Sequence, residues 1–300
     1  MPSRQPPIVL TMPGAAGALA ALPALLACEA GTMDVHVFPD GESCPRVPMA
    51  VEGRDVVLLA NLDQPDPKIM ALYLSACTAR ELGARSVGLV LPYLPYMRQD
   101  AKFQAGQGIT SRHFAALLSS CCNWLVTVDP HLHRHPALSN IYTVPSVAVH
   151  AAPVIAAWIA EHVERPIVVG PDGESEQWAA EVAGLAGCPM MVLHKMRNGD
   201  RDVAVSAAGQ GLAGRTPVLV DDIISTARTM IAATQQLHAA GARAPLCVGV
   251  HALFVGDAMV ALAAAGAGDI VSCNSVVHAT NRIDLAPALA AAIRQMLVEN

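Results

Sequence analysis

Residues 218–230 read Val-Leu-Val-Asp-Asp-Ile-Ile-Ser-Thr-Ala-Arg-Thr-Met and combine groups that suit two different kinds of partner. The apolar run 218–220 predicts a short buried strand, and two carboxylates, Asp221 and Asp222, follow it. A hydroxyl-rich turn comes next, Ser225-Thr226-Ala227-Arg228-Thr229. Beyond it, Met230, Ala233, Thr234 and Leu237 fall at helical spacing. In parallel α/β sheets, ligands bind beyond the carboxyl ends of strands. Backbone N–H groups at a helix N-terminus attract phosphate, and Ser225, Thr226 and Thr229 add hydroxyl donors. The carboxylates suit the adjacent hydroxyls of a sugar, or a metal ion bound to them. Phosphate at one end and a diol at the other describe a ribose 5-phosphate. A capped helix after an acidic turn would account for the serine and threonines alone. It does not account for the whole series.

Four other segments carry candidate chemistry. In Phe38-Pro39-Asp40-Gly41-Glu42 the aromatic ring can stack on a base, and the carboxylates can accept from an amino group and a ribose. Alone, Asp-Gly is also a common surface turn. In Tyr93-Leu94-Pro95-Tyr96-Met97-Arg98-Gln99-Asp100, Arg98 offers a planar fork to phosphate and Gln99 can read a base or a phosphate. In Thr127-Val128-Asp129-Pro130-His131, the histidine is followed by His133 and His135. In an extended chain these three would share one side, as in a transition-metal site. Grouped with this third segment, Gly170-Pro171-Asp172 ends another strand-like run. Finally, Lys195 and Arg197 enter the polar loop His194-Lys195-Met196-Arg197-Asn198-Gly199-Asp200, which would otherwise read as a solvated hairpin tip.

The 218–230 segment resembles the signature of type I phosphoribosyltransferases and of their relatives, the ribose-phosphate pyrophosphokinases. The other four segments resemble the pyrophosphokinases specifically. The resemblance implies ATP contacts at Phe38, Asp40, Gly41 and Glu42, contributed to a neighbouring subunit, and at Arg98 and Gln99. It implies a ribose 5-phosphate loop at Asp221, Asp222, Ser225, Thr226, Ala227, Arg228 and Thr229. His131 matches a histidine that binds the magnesium–ATP complex, and Asp172 matches a metal ligand, so Mg2+ is the implied cofactor. Lys195 and Arg197 match a catalytic Lys-x-Arg pair on a flexible loop. The implied reaction moves the diphosphoryl group of ATP to the 1-hydroxyl of ribose 5-phosphate. The implied assembly is a homo-oligomer. Three positions depart from the family pattern: Arg228 stands where glycine is usual, Ala101 where a basic residue is common, and Gly173-Glu174-Ser175-Glu176 where glycines often continue. Two alternatives follow: a phosphoribosyltransferase consuming phosphoribosyl pyrophosphate, which leaves Lys195, Arg197 and Arg98-Gln99 unexplained, and a non-catalytic regulatory homologue.

These segments must be held by alternating strands and helices. Strand-like runs fall at 8–11, 56–60, 87–91, 125–129, 167–170, 190–193, 218–220 and 246–250. Helical runs fall at 69–82, 111–121, 151–161, 177–186 and 229–240. Such alternation predicts an α/β fold with mainly parallel sheets flanked by helices. Val57-Leu58-Leu59-Ala60-Asn61 is echoed about 160 residues later by Val218-Leu219-Val220-Asp221-Asp222, and Val87-Gly88-Leu89-Val90 by Val248-Gly249-Val250. This repeat predicts two tandem domains, 1–149 and 150–300; the resemblance implies that both are phosphoribosyltransferase-like, the first on the ATP side and the second on the sugar side. Prolines 65 and 67 remove backbone donors after the first copy, so only the second copy could cradle phosphate.

Composition narrows the alternatives. The chain of 300 residues is 53% hydrophobic, 15% charged and carries a net charge of −6, so it has no basic stripe for nucleic acid. Its eight cysteines include no Cys-x-x-Cys pair and sit mostly in apolar runs, which points to a reducing, cytoplasmic setting. The Ala-rich stretch 15–27 is expected to be a packed helix rather than a leader, and no run is long enough to span a membrane.

Overall fold

The computed structural model describes residues 5–15, 17, 19–132, 134–193 and 211–299. The chain divides into two compact units. The first runs to Val149 and takes back Ser275–Val277 and the segment from Leu285 onward. The second comprises His150–Asn274 and His278–Asp284.

The first unit contains β1 (Ile8–Thr11), α1 (Leu22–Leu26), β2 (Glu29–Thr32), β3 (Asp34–Val37), β4 (Ser43–Arg46), β5 (Asp55–Leu59), α2 (Asp66–Glu81), β6 (Ser86–Leu91), α3 (Thr110–Cys121), β7 (Trp124–Val128) and β8 (Ser146–Val149). Six of these strands form a parallel sheet in the order β2-β1-β5-β6-β7-β8. β5, β6 and β7 are buried at every residue, as expected for parallel strands covered on both faces. β3 and β4 form a separate antiparallel hairpin.

The second unit contains α4 (Ala152–His162), β9 (Pro166–Gly170), α5 (Glu176–Ala186), β10 (Met190–Val192), β11 (Thr216–Ile224), α6 (Arg228–Ala239), β12 (Leu246–Ala252), α7 (Ala258–Ala264), β13 (Asp269–Cys273) and β14 (Asn281–Ile283). Its sheet is also parallel, in the order β10-β9-β11-β12-β13-β14. Counted within each six-stranded sheet, the two share one strand order, 2-1-3-4-5-6. The repeated segments fall on equivalent strands: Val57 and Val218 on the third, Val87 and Val248 on the fourth.

Two expectations need correction. Among the described residues of the stretch 15–27, only Leu22–Leu26 is helical, and 17 and 19–21 form turns. Pro23 explains this, because proline is tolerated in the first turn of a helix and not in its interior. The last helix, α8 (Ala286–Glu299), belongs to the first unit and not to the second. It lies against α1, β7 and β8, burying Leu289, Ile293 and Met296.

Gly88 on β6 is opposite Trp124 on β7, and a Cβ added there would lie 2.0 Å from the indole. Gly88→Ala should therefore force a shift of a fully buried ring. A loss of about 3 kcal/mol is expected, read as a lower urea midpoint with an unchanged denaturant slope.

Candidate active site

In the second sheet the strand order reverses between β9 and β11: β10 lies beyond β9 on one side, and β12 to β14 follow β11 on the other. Ligands of open α/β sheets bind at such a reversal, beyond the carboxyl ends of the strands. There the Gly170-Pro171-Asp172 turn leaves β9, and Asp221 and Asp222 lie near the end of β11. β11 continues past the carboxylates to Ile224, four residues beyond the expected end at 220. The extension is held by pairing with β12, Asp221 with Gly249 and Ile223 with His251. Gly249 makes room for it, since a Cβ there would lie 2.6 Å from Ile224 Cδ1.

Burial drives the Asp221 carboxyl well above its ordinary range, and the charges of Asp222 and Asp172 push it the same way. The Asp222 N–H donates to Asp221 Oδ1 at 3.1 Å and offsets part of that cost. Three carboxylates thus crowd one end of the sheet, an arrangement that favours hydroxyl donors or a cation. Asp172 is held by a residue that sequence reasoning gave no role. Ser175 Oγ donates to the Asp172 carbonyl at 2.7 Å and accepts from the Asp172 N–H at 3.3 Å. The hydroxyl fits because Gly170 has no Cβ, which would otherwise sit 2.9 Å from Ser175 Oγ. A serine three residues after a strand-end aspartate, just before a helix, is the signal that marks it.

After β11 the backbone turns through Ala227 at φ 56°, ψ 10°, a left-handed conformation that is uncommon for alanine. α6 starts at Arg228, with Ile231 N–H donating to the Ala227 carbonyl at 2.8 Å. Its first-turn N–H groups are those that a helix leaves for an external acceptor. Thr226 and Arg228 are exposed, and Ser225 and Thr229 are half-buried. The turn is backed by residues 253–255: Leu253 and Phe254 donate to the Ile224 carbonyl, and Val255 to that of Ser225, each at 3.0 Å.

In the first unit, the loops after β6 and β7 leave neighbouring strands, with Leu91 paired to Thr127. Arg98 and Gln99 are exposed, whereas the Asp100 side chain is only 2% exposed. Asp100 accepts from Arg134 Nη1 at 2.7 Å, which ties the 98–100 loop to the loop carrying His131. Gln99 is fixed through its backbone, donating to the Tyr96 carbonyl at 2.9 Å and accepting from Ser111 N–H at 3.2 Å. Tyr96 itself has φ 64° and donates its hydroxyl to Asp66. Burial and the Asp66 carboxylate push that hydroxyl up to about 12. His131 has φ 55° and donates its N–H to the Asp129 carbonyl at 2.9 Å. The segment is therefore not extended there, so the alternate-face argument for three histidines fails, and His133 lies outside the described residues.

The 38–42 segment is the tip of the β3–β4 hairpin. Phe38 N–H donates to the Glu42 carbonyl and Gly41 N–H to that of Phe38, both at 2.8 Å, and Glu42 N–H donates to Asp40 Oδ1 at 3.2 Å. Gly41 takes φ 93°, a value that glycine adopts without cost. Phe38, Asp40, Gly41 and Glu42 are all exposed, and the Phe38 ring meets His36 edge-on at 4.6 Å. Lys195 and Arg197 lie outside the described residues.

A parallel sheet whose third strand carries paired carboxylates, followed by a hydroxyl turn into a helix, defines a phosphoribosyltransferase-type protein. Residues 139–282 match the family described as the phosphoribosyl transferase domain, and residues 15–121 match the N-terminal domain of ribose phosphate pyrophosphokinase. A ribose-phosphate pyrophosphokinase of Methanopyrus kandleri is 32% identical over 273 residues, covering 90% of this chain and 93% of that protein. One of Halobacterium salinarum is 33% identical over 275 residues, covering 91% and 96%. The crystal structure of phosphoribosylpyrophosphate synthetase from Mycobacterium smegmatis superposes with a TM-score of 0.83 at 25% identity, over 98% of this chain and 100% of that one. The chain belongs to the ribose-phosphate pyrophosphokinase family.

Proposed function

We propose that the chain transfers the diphosphoryl group of ATP to the 1-hydroxyl of ribose 5-phosphate, forming phosphoribosyl pyrophosphate and AMP. The observation that carries this reading is the strand–turn–helix at 216–239, with its crowded carboxylates at one end and open helix N-terminus at the other. The sugar O1 bonds to the β-phosphorus, the bond from that phosphorus to the α,β-bridging oxygen breaks, and AMP leaves with that oxygen. The hydroxyl proton passes to solvent. Such transfers need placement and charge compensation rather than a protein nucleophile.

In this reading Asp221 and Asp222 accept from the sugar hydroxyls. Ser225, Thr226, Ala227 and Thr229 hold the 5-phosphate with hydroxyls and N–H groups, and the exposed Arg228 adds a cation at that end. Arg98, Gln99 and the hairpin residues Phe38, Asp40, Gly41 and Glu42 bind ATP. Lys195 and Arg197 stabilise the transferring group. The carboxylate crowding around Asp221 fits a hard divalent cation. Mg2+ would be held through Asp172, with His131 on the nucleotide side, and would neutralise phosphate charge. A hairpin tip that exposes an aromatic ring beside two carboxylates suits a second copy of the chain, so the reading includes a homo-oligomer with the ATP site at a subunit interface. The free cysteines fit a cytoplasmic setting, and among the described residues no helix is long and apolar enough to cross a membrane.

The test is direct. Protein incubated with ATP, magnesium and ribose 5-phosphate should release AMP only when the sugar is present. Tight ATP binding without AMP would favour a non-catalytic homologue. Base-dependent consumption of phosphoribosyl pyrophosphate would favour a phosphoribosyltransferase.

A further inference from the structure

We propose that Arg134 provides the nucleotide's polyphosphate with the cation that position 101 lacks, a role that rests on the ATP-side reading of the first unit. Ala101 leaves the loop after Asp100 without a basic side chain at that point. The fold brings one in from the following loop: Arg134 Nη1 lies 2.7 Å from Asp100 Oδ1. Asp100 is the immediate neighbour of Gln99, so the guanidinium is anchored on the same short segment as Arg98 and Gln99.

Three observations separate this from an ordinary surface ion pair. The Asp100 side chain is 2% exposed, so its charge depends on a partner and holds that partner in place. The Phe103 ring lies under the guanidinium, its centroid 5.6 Å from Arg134 Cζ, within cation–π reach. Yet the Arg134 side chain remains 56% exposed, so part of its five-donor fork faces solvent. A planar, pre-oriented fork with donors left over is suited to phosphate oxygens, because little rotamer freedom is lost when they arrive. Lys102 is the competing cation; it is exposed and next in sequence.

The test uses the full chain with Mg–ATP as the titrated probe, so that binding is read without turnover. Arg134→Gln should raise the dissociation constant for Mg–ATP about tenfold, leave the KM for ribose 5-phosphate within about twofold, and lower the thermal midpoint, since the nearly buried Asp100 loses its ion partner. Arg134→Lys should lie between it and the wild type, since the charge survives and the fork does not. Adding Ala101→Lys to Arg134→Gln should recover most of the lost affinity. That rescue is an effect a purely structural strap between the two loops would not show. Three results would overturn the assignment: unchanged ATP binding in Arg134→Gln, a loss that Ala101→Lys does not restore, or a loss found in Lys102→Ala instead. The diphosphokinase reading fails separately, if the wild type binds ATP and yields no AMP.

Discussion

Lys195→Ala should lower the turnover of AMP formation by about 10²–10³-fold while leaving the KM for ATP within about threefold. The expectation comes from where the segment begins. β10 pairs with β9, and Leu193 N–H donates to the Gly170 carbonyl at 2.9 Å. Leu193, the last described residue before this segment, therefore lies beside the turn that carries Asp172. Two cations that follow so closely, at 195 and 197, are well placed in sequence to serve charge that develops during transfer. A group that acts on the transition state more than on bound ATP changes turnover and not saturation. Lys195→Arg keeps the charge and should retain more activity than the alanine variant. Initial rates at varied ATP and fixed, saturating sugar separate the outcomes. Near-wild-type turnover, or a loss that appears entirely in KM, would remove Lys195 from the reaction.

How much of this was legible beforehand depends on the range of the interaction. Apolar runs such as Val56–Leu59 and Val87–Leu91 announce buried parallel strands by themselves, and the echo between Val57 and Val218 anticipated two sheets of one topology. The 38–42 hairpin was harder to see, because its strands are mostly exposed and β4 contains Pro45. β11 runs four residues beyond its apolar run 218–220, since Ile223 and Ile224 can pair with β12 only because Gly249 leaves room for the Ile224 side chain. The assignment of α8 to the first unit depends on packing against α1, β7 and β8, which no local pattern encodes. At the site, carboxylates and hydroxyls were visible as residue types. Ser175 and Arg134 were not singled out, because one acts on main-chain atoms and the other on a carboxylate 34 residues away.

Asp221→Asn should raise the stability of the protein and at the same time raise the KM for ribose 5-phosphate by about 10–100-fold, the size of a hydrogen bond to a charged group. The stability sign follows from the direction in which burial, Asp222 and Asp172 move the carboxyl: upward from its ordinary 3.8. Below that value both folded and unfolded chains carry the proton, and the site costs nothing. As pH rises above it, the unfolded chain ionises first, so folding loses ground until the folded carboxyl ionises too. At neutral pH the unfolded carboxyl is ionised, so folding already bears a cost there, and asparagine removes it. A gain of about 1 kcal/mol corresponds to roughly 2–4 °C in the thermal midpoint, shrinking as pH falls toward 4. A carboxylate kept only for structure would give the opposite result, with loss of its contacts lowering the midpoint. Stability and sugar use moving in opposite directions would mark Asp221 as a group held at a cost for its ligand. An unchanged KM, whatever the midpoint does, would take the sugar hydroxyls away from it.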